Sequence, residues 1–144
     1  MDNMLERLKG GLIVSCYAGA DFNAEMAVPE TMVCVAKSCI AGGAKAIRTN
    51  RSGDMISGDF RITPTLKEVE ELIKAGADGV AVDGTVRERY DGKTLEQFIG
   101  AVKKEFGAFV IADISTVEEG VAAWRCGADM VGTTLSGYTP YSKN

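Results

Sequence analysis

The stretch that decides the fold is FVIADISTVEEGVAAWRCGADMVGTTLSGYT, residues 109–139, which is typical of a strand, a helix and a second strand in succession. The apolar run over residues 109–111 predicts a buried strand that ends at Asp113. Ser115, with Glu118 three residues later, predicts a capping box. A helix should therefore begin directly after the strand.

The second half of this stretch predicts where that helix ends and the next strand begins. The helix should run to Cys126, with Gly127 just beyond it, and residues 130–134 should form a buried strand. A strand–helix–strand unit of this kind places its strands parallel and side by side with a right-handed crossover. Asp113 and the segment 134–136 should then point toward one rim, where parallel α/β folds bind their ligands.

The same alternation continues through the rest of the chain. Predicted strands end near Ser15, Asn50 and Asp83, and Thr65 and Thr94 each precede a predicted helix. Segment 51–64 lacks helical periodicity and is predicted to be an extended loop. The residues expected in the core include Met32, Val33, Val35, Ala36, Ile40 and Trp124. These patterns predict an α/β fold built from parallel βα units.

Composition narrows the class of protein. A chain of 144 residues with 46% hydrophobic residues predicts one domain with a sizeable core. The net charge is −4 and the basic residues are scattered, which argues against nucleic acid as a partner. Neither a signal-peptide segment nor an apolar run of about 18 residues is evident, so we expect a cytoplasmic protein without a membrane partner.

The cysteines and the missing histidine restrict the chemistry. The four cysteines form no CxxC pair and the chain has no histidine, which favours reduced, mostly buried thiols over a zinc site. Cys16 could be a nucleophile, but no histidine can activate it, so an inert thiol is the favoured interpretation. Any acid or base must be Asp, Glu, Lys, Tyr or Cys.

Polar side chains should collect at the carboxyl ends of the predicted parallel strands. They are Ser15, Arg48, Asn50, Asp83, Asp113, Thr134 and Ser136. A guanidinium can hold a phosphate or sugar oxygen, and carboxylates can fix hydroxyl groups, so this set suits a phosphorylated sugar. One alternative is that the aspartates are helix N-caps, Arg48 pairs with Asp83 or Asp113, and nothing binds. Another is Mg²⁺ held by the two aspartates.

Several segments together resemble the N-acetylmannosamine-6-phosphate 2-epimerase family. They are GGLIVSC at 10–16, AIRTN at 46–50, RITPTLKEVEELIKAGADGVAVDGT at 61–85, ADISTVEEG at 112–120 and GTTLSGYT at 132–139. The resemblance implies parallel βα units of the TIM-barrel type, which is a ribulose-phosphate-binding-like fold. It also implies interconversion of N-acetylmannosamine 6-phosphate and N-acetylglucosamine 6-phosphate in sialic-acid catabolism, without a redox cofactor or a metal.

The resemblance also implies roles for individual residues. Arg48 and Asp113 match family residues at the substrate sugar and would support catalysis. Ser15, Asp83, Thr134, Ser136 and Tyr138 would join them in binding the substrate. The implied reaction removes the proton at C2, which lies next to the aldehyde of the opened sugar, and returns it on the opposite face.

The chain also departs from the family pattern. A (βα)₈ barrel usually needs about 250 residues. Only 14 residues separate Asn50 from Thr65, where the family has a helix and a third strand ending in an acid/base lysine. The family's last two βα units and an acid/base glutamate have no counterpart after Ser142. The fold is therefore expected to be an incomplete barrel whose open edges invite self-association, giving a homo-oligomer.

These departures leave three functions open. The first is the epimerase, and the second is a catalytically inactive incomplete barrel that binds a sugar phosphate or a partner chain. The third is another sugar-phosphate barrel enzyme, which the segment GADGVAVDG would also fit.

Overall fold

The computed structural model describes residues 3–16, 29–49, 55–56 and 59–142. The chain forms two compact units, Met1–Gly53 and Asp54–Asn144, and each is described by itself. The organisation of residues 1–144 as a single barrel-type domain stays a prediction. Within the described ranges, no helix is both long enough and apolar enough to cross a membrane.

The first unit is a short strand–helix–strand arrangement. In chain order it contains α1 (Met4–Leu8), β1 (Ile13–Cys16), α2 (Pro29–Ala41) and β2 (Ala46–Thr49). The two strands are parallel and in register to their ends, where Cys16 lies opposite Thr49. Pro29 is the first residue of α2, as predicted, because that position needs no backbone N–H donor.

The second unit contains a parallel sheet of three strands with helices between them. Its elements are β3 (Met55–Ile56), β4 (Asp59–Phe60), α3 (Leu66–Lys74), β5 (Gly79–Asp83), α4 (Leu95–Phe106), β6 (Phe109–Asp113), α5 (Val117–Arg125) and β7 (Met130–Gly132). The order in the parallel sheet is β5-β6-β7. The α/β fold with parallel βα units is therefore confirmed.

One core holds the second unit together. Its fully buried side chains come from α3, β5, α4, β6 and α5, and include Val69, Val82, Phe98, Ile99, Val102, Val110 and Ala123. The β5–β6 pair is close at Gly79, where a Cβ would lie 2.8 Å from the carbonyl oxygen of Phe109. The strands of the sheet thus pack against α3, α4 and α5.

Local capping signals define two of the helices as predicted. Thr65 caps α3 and Thr94 caps α4, and each forms a reciprocal capping box with Glu68 or Gln97. The predicted box of α5 is wrong by one residue, because Thr116, not Ser115, has the extended backbone of an N-cap and pairs with Glu119. This shift releases Ser115 for other contacts.

The end of α5 and the following strand are close to their predicted positions. The helix ends at Arg125, and Cys126 is its C-cap. Gly127 has a φ of +95°, which favours glycine after a helix. Strand β7 ends at Gly132 instead of Thr134, so Thr134 belongs to the turn that follows the strand.

Several expectations of burial are wrong. Trp124 is 71% exposed, because Ala123 and Glu119 take the inward positions of α5. On α2, Val33, Val35 and Ile40 are exposed, while Met32, Ala36 and Cys39 are half-buried on the inward stripe. The thiols are all free, but they are not mostly buried, since only Cys16 is.

The described residues of segment 51–64 include two short strands where an extended loop was predicted. Met55–Ile56 and Asp59–Phe60 pair as a short antiparallel ladder. Two-residue strands carry no detectable periodicity, so backbone pairing of this kind leaves no signal in the pattern of apolar residues. Residues 50–54 and 57–58 lie outside the described part of the chain, and so does the predicted site residue Asn50.

Candidate functional site

The carboxyl ends of β5, β6 and β7 meet along one edge of the sheet. Asp83 pairs in register with Asp113, and Asp113 pairs with Gly132. The structure therefore brings together the predicted residues Asp83, Asp113 and Thr134, which follow three different strands. Both aspartates are almost completely buried.

Asp113 is bound to the turn that follows β7. Its Oδ1 accepts a hydrogen bond from Thr134 Oγ1 at 2.9 Å, and the side chain has no exposed surface. The backbone continues this link, since the N–H of Ile114 donates to the carbonyl of Gly132 at 2.7 Å. A buried carboxylate beside a hydroxyl at a strand end can accept a hydrogen bond from a sugar hydroxyl.

Asp83 is held by a different set of donors. Its Oδ1 accepts from the backbone N–H of Thr85 at 3.0 Å and from Thr85 Oγ1 at 2.6 Å. Its Oδ2 accepts from Arg87 Nη2 at 2.5 Å and lies 4.0 Å from Arg61 Nη1. The sequence interpretation missed Arg61 and Arg87, because nothing in the local pattern links them to this carboxylate.

Arg89 anchors the loop that follows β5. Its guanidinium donates to the carbonyls of Asp83 at 2.9 Å and Pro64 at 3.0 Å, and it lies 3.7 Å above the ring centre of Phe98. Burial lowers the pKa of Arg89 from its ordinary value, and nearby Asp91 and Asp83 partly oppose that shift. The loop after β5 is therefore tied to the core as well as to Asp83.

Glu119 joins all three strand-end loops. Its Oε1 accepts from the backbone N–H of Val86 at 2.8 Å and from the hydroxyl of Tyr141 at 2.6 Å. Its Oε2 accepts from the N–H and the hydroxyl of Ser115, at 2.8 and 2.7 Å, and from the N–H of Thr116 at 3.1 Å. These five donors belong to the loops after β5, β6 and β7.

The protonation state of Glu119 follows from these contacts. Burial by itself would raise the pKa, but hydrogen bonds from Tyr141, Ser115 and the backbone N–H of Val86 outweigh it and lower the pKa. Burial and the bond to Glu119 raise the pKa of Tyr141. Glu119 is thus an ionised structural carboxylate, and the one-residue error in the capping box concealed it.

The other predicted site residues are placed differently. Ser136 is exposed and Tyr138 is 69% exposed, in the turn after β7. Ser15 and Arg48 lie opposite one another at the ends of β1 and β2, in the first unit. Their arrangement with the second unit's aspartates stays a prediction.

The helix-cap alternative is answered by the same geometry. The strand-end aspartates are not helix N-caps, because Thr94 and Thr116 cap the helices that follow β5 and β6. Within the described ranges, no group of three His, Cys, Asp or Glu side chains is arranged to hold a metal ion.

The parallel βα architecture and the polar strand ends define an α/β protein of the type that binds ligands at the carboxyl edge of its sheet. Comparison with known proteins identifies the family. Residues 52–144 match the family model described as "NanE: Putative N-acetylmannosamine-6-phosphate epimerase". The chain belongs to the N-acetylmannosamine-6-phosphate 2-epimerase family, which confirms the resemblance seen in the sequence.

Individual relatives give the same result. The chain is 39% identical to a protein of Cutibacterium acnes and 40% identical to one of Clostridioides difficile, both named "Putative N-acetylmannosamine-6-phosphate 2-epimerase". These matches cover 96% and 97% of this chain, and 67% and 70% of the relatives.

A solved structure of the N-acetylmannosamine-6-phosphate 2-epimerase from Clostridium perfringens superposes with a TM-score of 0.84 and 37% identity. The superposition covers 99% of this chain and 69% of that one. The chain therefore spans about two thirds of the length of the relatives it matches.

Proposed function

We propose that this protein interconverts N-acetylmannosamine 6-phosphate and N-acetylglucosamine 6-phosphate by moving the proton at C2. The observation that carries the proposal is the hydrogen bond between the buried Asp113 and the exposed Thr134 at the carboxyl end of the sheet, in a chain that belongs to the epimerase family. We propose that this reaction serves sialic-acid catabolism. We further propose that the βα units are of the TIM-barrel type and form an incomplete barrel.

The chemistry requires an opened sugar held in a fixed orientation. The C2 proton is acidic because it lies next to the C1 aldehyde, and its removal places negative charge on the carbonyl oxygen. Hydrogen-bond donors positioned near that oxygen lower the barrier by stabilising the enolate. Returning the proton on the opposite face gives the epimer, and no redox step is involved.

We assign supporting roles to the residues of this chain. Asp113 would accept a hydrogen bond from a sugar hydroxyl, with Thr134 fixing its orientation. Arg48 would donate to a sugar or phosphate oxygen. Ser15, Asp83, Ser136 and Tyr138 complete the proposed substrate-binding set, although Asp83 is already occupied by Thr85 and Arg87.

Proton exchange with solvent tests the proposal directly. The protein is incubated with N-acetylmannosamine 6-phosphate in D₂O, and the C2 proton signal is followed by NMR. We expect the signal to disappear as deuterium enters and the second epimer to form. No exchange at high protein concentration would remove the epimerase activity from this chain.

A second candidate is a chain that binds a sugar phosphate or a partner chain without epimerisation. The internal engagement of two carboxylates near the strand ends favours it, because Asp83 at the end of β5 and Glu119 on α5 both accept several hydrogen bonds from the protein itself. Titration of the same sugar phosphate, followed by chemical shifts of the protein, would then give saturable binding in the absence of any deuterium exchange.

We also propose that copies of the chain associate. Strand β7 is the last strand of the described sheet, and the neighbouring helix α5 exposes Val117, Val121 and Trp124. Unpaired strand edges and apolar surface favour association. Size-exclusion chromatography with light scattering should give a mass above the 15.3 kDa of one chain. A compact particle of 15.3 kDa at all concentrations would contradict self-association.

A further inference from the structure

Two thiols from different elements of the first unit lie in contact. The sulfur of Cys16, the last residue of β1, is 4.0 Å from the sulfur of Cys39 on α2. Both are free thiols. Cys16 is 1% exposed, whereas Cys39 is half-buried and remains in reach of a small solute.

The fold itself produces this contact. Helix α2 connects the parallel strands β1 and β2 and packs against both, so its inward stripe faces the sheet. Cys39 lies on that stripe, while Cys34 on the same helix is exposed. Within the described residues no third metal-binding side chain joins the pair, so its chemistry is that of a dithiol.

We propose that Cys16 and Cys39 form a reversible disulfide when the protein meets a peroxide. The Cys39 thiol loses its proton, its sulfur attacks one oxygen of hydrogen peroxide and becomes a sulfenic acid as the O–O bond breaks, and the other oxygen leaves as hydroxide and takes up that proton to form water. The sulfur of Cys16 then attacks the sulfur of Cys39 and releases a second water as the S–S bond forms. Two thiols are oxidised by two electrons and one peroxide is reduced to two waters.

The surroundings of the two sulfurs decide the order of these steps. Burial and the neighbouring Cys39 raise the pKa of Cys16, which keeps its thiol protonated. The accessible Cys39 is therefore oxidised first, and Cys16 resolves the sulfenic acid, because its sulfur is already in contact. The bond would join the carboxyl end of β1 to α2 and restrict the unfolded chain between them.

Peptide mapping after mild hydrogen peroxide treatment tests the proposal on the intact protein. Remaining thiols are blocked by alkylation before digestion without reductant. Before alkylation, the mass of the oxidised protein should be lower than that of the reduced protein by two hydrogen atoms. After digestion, we expect one pair of peptides linked through Cys16 and Cys39, and alkylation of Cys34 and Cys126 only. Dithiothreitol should restore all four thiols.

Matched variants separate this pair from general thiol oxidation. Cys39→Ser should abolish the linked peptide, whereas Cys34→Ser, on the same helix, should leave it unchanged. Oxidised wild type should also melt at a higher temperature than reduced wild type, and Cys39→Ser should lose that difference. If Cys39→Ser folds poorly, the peptide maps of Cys39→Ala and of oxidised wild type still test whether the disulfide joins Cys16 and Cys39. Sulfinic acid at Cys39 without a link, or links through Cys34, would overturn the proposal.

Discussion

Asp83 and Asp113 occupy equivalent positions on neighbouring strands, yet their surroundings differ in kind. Both are the last residue of a buried strand and they pair in register. Asp83 is contacted by Thr85, Arg87 and Arg61, whereas Asp113 binds Thr134 from the turn after the next strand. The position in the fold buries a carboxylate, and the donors that reach it determine what it does.

We interpret this difference as one between an ion pair that holds the structure together and a carboxylate that we propose binds the substrate. A buried carboxylate is costly unless charged or polar donors compensate it. At Asp83 the compensation comes from arginine, which ties down the loop after β5. At Asp113 a hydroxyl partner accompanies the carboxylate, and we assign this position to the sugar. Each of the following changes tests that contrast.

Arg87→Met should have the largest effect, on stability. It removes the cation nearest to Asp83 and leaves a buried charge that Arg61 at 4.0 Å compensates less well. We expect the free energy of unfolding to fall by about 3 kcal/mol, as measured by urea denaturation. Arg125→Met, at the end of α5, is the control and should change it by less than about 0.5 kcal/mol. Equal losses in the two variants would contradict the structural role of the Asp83 pair.

Asp113→Asn should have the largest effect on function. The amide keeps the size of the side chain but removes the charge, so the rate of C2 deuterium exchange should fall about 100-fold. The exposed Asp78→Asn serves as the control and should exchange at the wild-type rate. If Asp113→Asn exchanged the C2 proton at the wild-type rate, the sugar could not be bound by the carboxylate of Asp113.

Glu119→Gln should reveal a dependence of stability on pH. Because the pKa of Glu119 is lowered on folding, its ionised form stabilises the protein above pH 4.5, the ordinary value for this side chain. That contribution should be lost as the pH falls below 4.5 through the lowered pKa of the folded protein. We expect the free energy of unfolding of wild type to be about 2 kcal/mol higher than that of Glu119→Gln at neutral pH.

The difference in the free energy of unfolding between wild type and Glu119→Gln should become smaller as the pH is lowered. Urea denaturation at neutral pH and at about pH 3 measures it. A gap that stays constant over this range would show that the charge of Glu119 has no part in holding the three loops.

Tyr141→Phe should have the smallest effect of the four. It removes one donor to Glu119 and leaves the capping box of α5 intact, so the cost should be about 1 kcal/mol. Tyr138→Phe, in the exposed turn, is the control for stability. A loss as large as that of Glu119→Gln would mean that the turn after β7, and not the carboxylate, holds the loops together.

Much of the local structure of the second unit could be predicted because its causes are local. Thr65 and Thr94 stand three residues before the side chains that complete their capping boxes, and Gly107 and Gly127 follow the helices that they end. The strand limits at Asp83 and Asp113 were also correct, since apolar runs stop there. Of the proposed site, this reasoning located both aspartates and Thr134.

The contacts around those residues could not be predicted, because they join parts of the chain that are distant in sequence. Val86 and Tyr141 reach Glu119 from two different loops, and Pro64 accepts from Arg89 across the β5 end. The exposure of Trp124 has the same origin, since helical periodicity indicates an apolar face without saying what packs against it.

The sequence by itself determined the family, the parallel βα units and the strand ends where polar residues gather. Its hydrophobic periods, caps and glycines act over a few residues, so they can be read directly from it. Only the tertiary structure decided that Asp83 is locked by arginines, that Asp113 binds Thr134 and that Glu119 joins three loops. Those outcomes depend on which donors packing brings within hydrogen-bond distance of each buried carboxylate.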